Sequence, residues 1–370
     1  MPLSPQQSWW ILPVTTAATV LLIILLAPLA QKTKLLDQPS QHKLHDSATP
    51  MMGGLAIFIA LALGFFWITS SDHFMQSRFL PALGAGSLLM LVTGMADDRF
   101  KLSAALRFLA QIGACLLMVL YGDVRLEDFG RLLHNEVLGL GWFAGSITIF
   151  SALGVINAYN MIDGMDGLAG SIFGVAAAGM ALFAAQAGQI EVLWTLLLSI
   201  SAVLGFMLLN ARLPWNDSAR VFLGDGGSLL LGFILAWSFI SLGSGHNVAG
   251  ARAFMPMTAV WLLAVPLLDT ATLMWRRWRS GRSAISSDQN HLHHAFLRAG
   301  YSVGQTWLII TLAALLLGGV GVVFELTHVP DYISFWTFMA AAISYSTYMK
   351  KSWQTQRFLT RNFIYNDFDP

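Results

Sequence analysis

The chain has 370 residues, of which 56% are hydrophobic and only 11% charged, with a net charge of +1. Soluble domains carry about 25% charged residues, so this composition excludes an ordinary soluble enzyme and a disordered chain, and the near-zero charge excludes a nucleic-acid binder. The single cysteine, Cys115, excludes a disulfide framework and a cysteine-based zinc site, which leaves an all-α polytopic membrane protein.

About 20 apolar residues of helix cross a bilayer core. Eleven runs qualify, at roughly 9–30, 52–70, 79–96, 104–121, 138–156, 167–186, 190–210, 227–243, 256–274, 305–325 and 332–349. They are continuous rather than alternating, which favours helices over barrel strands. The segment 71–80, with Asp72, His73 and Arg78, reads as a loop. The first run lacks a basic flank before it and a small-residue cleavage site after it, so it reads as a retained helix rather than a signal peptide. An odd number of spans puts the termini on opposite sides. With the N-terminus outside, only Arg78, Arg125, Arg131 and Arg252 lie outside, and every other lysine and arginine falls on an inner segment. The positive-inside rule therefore predicts an outer N-terminus and a cytoplasmic C-terminus. No loop is long enough for a soluble domain and no repeat is visible. Residues 1–349 are expected to form one transmembrane domain and residues 350–370 a cytoplasmic tail.

The chemistry concentrates in the inner loops. The first holds His42-Lys43-Leu44-His45 and then Thr49-Pro50-Met51-Met52-Gly53-Gly54. Its glycines let the second helix start close to its neighbours, and Lys43 and His45 read either as phosphate contacts or as solvated charges. The third span ends in Gly94-Met95-Ala96-Asp97-Asp98-Arg99-Phe100-Lys101. Adjacent carboxylates repel unless a cation or a proton relieves them; a solvated helix end accounts for the pair equally well.

In Asn157-Ala158-Tyr159-Asn160-Met161-Ile162-Asp163-Gly164-Met165-Asp166-Gly167-Leu168, a polar group recurs every third residue. Neighbours at that spacing lie side by side on a helix, but the stripe drifts and all four cannot share one face. Gly164 and Gly167 predict a helix break there. No lysine or arginine lies in this loop to neutralise it, although a plain polar turn uses the same residue types. Val221-Phe222-Leu223-Gly224-Asp225-Gly226-Gly227-Ser228 opens the eighth span. Asp225 there reads as a hard-cation ligand beside anion-binding N–H groups, or simply as an N-cap. Arg276, Arg277, Arg279 and Arg282 form a basic patch that topology and lipid contact explain. Asp288-Gln289-Asn290-His291-Leu292-His293-His294 follows, with His291 and His294 expected on one helix face. A zinc site, phosphate donors and a solvated loop all fit it.

Taken together, five aspartates from three loops and three histidines converge on one membrane side. Carboxylates with carboxamides favour Mg²⁺ or Mn²⁺ over zinc, and Mg²⁺ takes one or two carboxylates plus substrate phosphates. That combination points to phosphoryl transfer with a membrane-held partner. A secondary transporter also has intramembrane carboxylates and broken helices, but with midplane sites and internal repeats. A lipid-binding scaffold leaves the separate aspartate clusters unexplained.

Over about residues 35 to 325 these motifs, in this order, resemble the polyprenyl-phosphate N-acetylhexosamine-1-phosphate transferase family. The interruption of the histidines by Leu292, the Arg-rich loop before them and the Arg-Ala-Gly-Tyr after them are similar to the branch that loads N-acetylglucosamine-1-phosphate onto undecaprenyl phosphate. The branch that transfers phospho-N-acetylmuramoyl-pentapeptide has three consecutive histidines. The resemblance implies UDP-N-acetylglucosamine and undecaprenyl phosphate as substrates and UMP as product, in the bacterial inner membrane with a periplasmic N-terminus. It implies a place at the first membrane step of O-antigen or another cell-surface polysaccharide. Another UDP-N-acetylhexosamine, or the muramoyl-pentapeptide donor, would use the same chemistry. The resemblance further implies Mg²⁺ (or Mn²⁺) at Asp225 and Asn160, and catalytic roles for Asp97, Asp98, Asp163, Asp166 and His291. Substrate contacts are implied for Lys43, His45, Lys101, Arg107, Asn157, Phe222, Gly224, Arg282, His293 and His294, and Arg107 and Gln111 match a polar pair of the family on the fourth span. A one-step transfer and an aspartyl-phosphate intermediate both fit, and a monomer and a homodimer are both open.

Overall fold

The computed structural model describes residues 9–37, 48–71, 78–133, 136–244, 252–281 and 291–359, with the side chains of Ser71 and of 352–359 outside the description. The long apolar runs become helices because only helices satisfy their own backbone in hydrocarbon. In chain order they are α1 (Ile11–Thr33), α2 (Gly53–Ser71), α3 (Phe79–Phe100), α4 (Ala104–Leu116), α5 (Ala144–Ile162), α6 (Leu168–Gln186), α7 (Ile190–Asn210), α8 (Gly224–Gly243), α9 (Pro256–Leu262), α10 (Ala264–Arg279), α11 (Leu292–Arg298), α12 (Val303–Leu326) and α13 (Asp331–Leu359). The only strands among the described residues, β1 (Leu36–Asp37) and β2 (Thr49–Pro50), pair antiparallel, Leu36 with Pro50 and Asp37 with Thr49.

Among the described residues nine helices are long and apolar enough to cross a membrane. The expected span at 256–274 is corrected: α9 and α10 meet at 83° instead of forming one rod. The cause is Pro266. It donates no hydrogen bond and its ring excludes the carbonyl four residues back, which belongs to Leu262, where α9 stops. The expected last span is helical, as α13, but it is not among the nine helices apolar enough to cross a membrane, and it continues past Lys350 to Leu359. The fifth span lies later than expected, with its α-helix at Ala144–Ile162, and the shift carries Asn157 and Asn160 onto its last turns.

The centre of the bundle is α8. Every residue from Gly226 to Gly243 is buried, against α3, α5, α2 and α6. A helix apolar on all sides belongs in such a position. Only its start, at Gly224 and Asp225, reaches the surface of the bundle.

Candidate active site

Three helix ends meet where α8 begins. The last turn of α3 carries Asp97 and Asp98. The end of α5 carries Asn157 and Asn160, with Asp163 at its C-cap, and the first turn of α8 carries Asp225. Asp97 is buried, and its Oδ2 accepts from Nη1 of Arg107 on α4 at 2.8 Å. Asp98 reaches across to α8, where its Oδ1 accepts from the backbone N–H of Asp225 at 3.2 Å. Asp98 thus does for α8 what an N-cap does, and Asp225 lies inside the first turn, where the helix dipole favours its charge. The second oxygen of Asp98 is buried with no hydrogen-bond partner. Gly224, at φ +73, sits so close that a Cβ there would stand 2.7 Å from that oxygen, so both conformation and space demand glycine.

Asn160 faces the same turn of α8. Its Oδ1 accepts from the Ser228 hydroxyl, which also lies 3.3 Å from the Asp225 carbonyl. An amide oxygen has two lone pairs, so one remains for another partner. Asn157, one turn earlier, is engaged differently. It exchanges hydrogen bonds with Gln111 at 2.7 and 3.4 Å and donates to the Leu153 carbonyl at 2.8 Å. Both of its donors are used inside the bundle.

Past Ile162 the helix breaks, as the glycines predict. Burial pushes the Asp163 carboxyl up to about 8, and the charges of Asp225, Asp98 and Asp166 add to it. Asp166 is neutralised from outside its own loop, since Nε of Arg212 lies 2.9 Å from its Oδ2. Asn210 brings the two loops together, accepting from Gly167 N–H and donating to the Val221 carbonyl, each at 2.8 Å. Arg212, Asn210 and Ser228 were not singled out in the sequence. Arg212 counted there only as an inner-side charge.

Phe222 is half-buried, and its backbone stitches α2 to α8. Its N–H donates to the Pro50 carbonyl at 2.8 Å and its carbonyl accepts from Gly53 N–H at 3.0 Å. Lys101 ends α3 in the left-handed region at φ 53, with its N–H on the Asp97 carbonyl and its side chain exposed. Lys43, His45, Arg282 and Asp288 lie outside the described residues.

The histidines are arranged otherwise than expected. His291 is the extended N-cap of α11, at ψ 159, so the helical i, i+3 relation to His294 does not apply to it. Instead His291 stacks on His293, with ring centroids 5.8 Å apart, and His293 lies 4.2 Å from His294. Among the described residues no three His, Cys, Asp or Glu side chains gather as metal ligands. His293 is 2% exposed with neither ring nitrogen hydrogen-bonded, and burial pushes its imidazole down to about 3. Its ring presses on the aspartate loop, since a Cβ on Gly164 would lie 2.5 Å from His293 Nε2. The histidines and the aspartates therefore share one site.

The sequence reading missed Asp269 on α10, which is buried and holds His291 Nδ1 at 2.8 Å. The signal was available, because an ionisable group inside an apolar span marks function by default.

The glycosyl transferase family 4 model matches residues 80–243, from α3 to the end of α8. Over longer stretches the chain is similar to proteins named undecaprenyl-phosphate alpha-N-acetylglucosaminyl 1-phosphate transferase. It is 32% identical to that of Escherichia coli K12 over 93% of this chain and 91% of the relative. It is 34% identical to that of Salmonella typhimurium over the same shares. With that of Pasteurella multocida it shares 33% identity over 94% of this chain and 95% of the relative. With such coverage at both lengths, this chain belongs to glycosyl transferase family 4.

Proposed function

We propose that this protein transfers N-acetylglucosamine-1-phosphate from UDP-N-acetylglucosamine to undecaprenyl phosphate, releasing UMP. The observation that carries this reading is the cluster of Asp98, Asp163 and Asp225 at three helix ends, in a chain alike to transferases of that name along nearly its whole length. A non-bridging oxygen of the lipid phosphate attacks the phosphorus that bears the sugar. The P–O bond to UMP breaks, UMP leaves with the electron pair, and a lipid-linked pyrophosphate remains.

The donors present fit a hard divalent cation. They are oxygens, one of them a buried carboxylate oxygen without a partner, and their mutual repulsion is what a cation would relieve. Asp225 and the free lone pair of Asn160 would hold Mg²⁺ or Mn²⁺. Bound there, the ion would neutralise the pyrophosphate and stabilise the charge on departing UMP. Arg107 holds Asp97 in place, which leaves Asp98 as the carboxylate set to accept a proton from the lipid phosphate. That demand is small, since a phosphate monoester has its second pKa near 6. Most of the rate comes from positioning and fixed charge. The lipid reaches the site from the bilayer and the nucleotide from the cytoplasm. This requires the N-terminus outside, the α5–α6 and α7–α8 loops inside and α13 as the eleventh span of a bacterial cytoplasmic-membrane protein.

The test is an exchange assay with purified protein, Mg²⁺, undecaprenyl phosphate and each of three donors, following UMP and lipid-linked product. UDP-N-acetylglucosamine is expected to give product. UDP-N-acetylgalactosamine and UDP-muramoyl-pentapeptide are expected to give none. Product with a rival donor alone overturns the sugar assignment, and no product from folded protein with any donor overturns the reaction.

A further inference from the structure

A carboxylate inside a membrane-embedded helix needs either a cation or several donors. Asp269, 2% exposed, has three donors. Its Oδ2 faces Nδ1 of His291 at 2.8 Å. Its Oδ1 accepts from the Leu292 backbone N–H at 3.1 Å and from the Tyr345 hydroxyl at 2.9 Å. A carboxylate only accepts, so Nδ1 of His291 carries the hydrogen and Nε2 is the nitrogen left to work in the site.

Tyr345 belongs to α13, the last helix among the described residues, which lies beyond the family match. Two further polar bonds fix α13 against the broken α9–α10 pair. Trp261 Nε1 donates to the Ser334 hydroxyl at 3.0 Å, and Thr272 and Ser346 share a bond of 2.9 Å. Met349, one turn past Tyr345 on the same face, is fully buried. The polar residues that keep α13 out of the nine strongly apolar helices are in part the ones that join it to α10.

We infer that α13 is part of the catalytic apparatus: Tyr345 and Asp269 are positioning residues that hold His291 in one tautomer and one orientation for the transfer. The inference rests on the reaction proposed above. Removal of partners that orient a working histidine costs roughly 10- to 100-fold. Asp269→Asn is therefore expected to lower kcat about 100-fold and Tyr345→Phe about 10-fold, with KM for UDP-N-acetylglucosamine changed less than about 2-fold. The decisive arm is a double-mutant cycle. In a His291→Ala background either change is expected to cost less than a further 2-fold, because nothing remains to be oriented. Full multiplicative losses, or losses confined to KM, overturn the inference. Tyr345→Phe keeps the buried aromatic volume, so it remains informative if Asp269→Asn fails to fold.

A second readout does not depend on turnover. In protein labelled with 15N-histidine, a carboxylate-bound Nδ1–H gives a far-downfield proton resonance. It is expected in the wild type, moved in Tyr345→Phe and lost in His291→Ala. Its absence from folded wild type overturns the inference. Its presence in a protein that yields no product refutes the proposed reaction instead and leaves this geometry standing.

Discussion

The two ends of the helix bundle carry similar residues and treat them in opposite ways. At the end where α12 stops and α5 begins, each of four carboxylates has its own partner. Asp128 pairs with Arg252 and Glu127 with Arg125, Asp331 accepts from the Arg131 N–H, and Glu325 accepts from Met255 N–H and the Thr258 hydroxyl. At the end where α8 begins, Asp97 and Asp166 are matched, by Arg107 and Arg212. Asp98, Asp163 and Asp225 make no ion pair with the described residues, and the charges of Asp225 and Asp98 add to what burial does to Asp163. The first arrangement is complete as it stands. The second is short of positive charge, and a cation with an anionic substrate would complete it.

The strongest way to break that contrast is to remove the charge at the start of α8. Asp225→Asn keeps the shape of the side chain and is expected to lower turnover by about 100- to 1,000-fold, as loss of a principal electrostatic group does. A sharper readout is binding. Wild-type protein should gain thermal stability with added Mg²⁺ by mass action, and the variant should gain almost none. An equal rise in melting temperature for both would refute the metal assignment.

Next in size is the packing that sets the distance between α3 and α8. A Cβ on Gly94 would stand 2.3 Å from the backbone carbon and oxygen of Asp225. Backbone cannot step aside, so Gly94→Ala must separate the two helices and with them Asp98 from Asp225. A displacement of that order costs about 100-fold in rate and about 1–3 kcal/mol in stability through overpacking. Measured kcat alongside chemical denaturation would separate the two effects. Wild-type kcat in the variant would show that the spacing of the aspartates is not critical.

How much of this was legible in the sequence follows from the range over which each signal acts. The apolar runs are local, and they gave the helices with ends displaced by a few residues. The break after Leu262 was also written locally, in Pro266, but a hydropathy reading passes over a proline inside an apolar run. The aspartates and histidines stood out because they sit in short motifs. Their partners did not. Arg212, in the loop between α7 and α8, and Tyr345, on α13, lie 46 and 76 residues from the groups they hold, and Gln111, named only through the family resemblance, lies 46 residues from Asn157. No periodicity within one segment encodes such pairs. Asp269 differs from these, since its placement in an apolar span was itself a signal. The order of the histidines failed for a local reason, because the N-cap position of His291 takes it off the helix.

The opposite end supplies a control of smaller effect. Arg252→Met removes the partner of Asp128, whose other oxygen still accepts from Gly130 N–H at 2.7 Å. Leaving one buried acceptor poorly paired is expected to cost about 2 kcal/mol in unfolding free energy. Activity per folded molecule should stay within about 2-fold, since distant sites act independently. A loss of kcat comparable with that of Gly94→Ala would mean that the complete end also serves the reaction.

The smallest effect concerns His293, which joins the histidines to the aspartate loop without a hydrogen bond of its own. Its imidazole is held down to about 3 in the folded protein, by burial first and then by His294, His291 and Arg298, against 6.5 in an ordinary setting. A depressed value means that the unfolded chain takes up a proton the folded protein refuses. Stability from this source is therefore complete above about 6.5 and is lost as pH falls from there towards about 3. One pH unit below 6.5 the loss amounts to about 1.4 kcal/mol. His293→Leu should flatten the acid side of the melting-temperature profile by that amount and leave the alkaline side unchanged. If the slope persists in the variant, another group carries the acid sensitivity. If the slope flattens and kcat falls as well, the neutral ring is needed by the reaction for more than packing. The boundary of the unsatisfied region would then extend from the three aspartates through Gly164 to the histidines, and the contrast between the two ends would be one of whole faces rather than of single carboxylates.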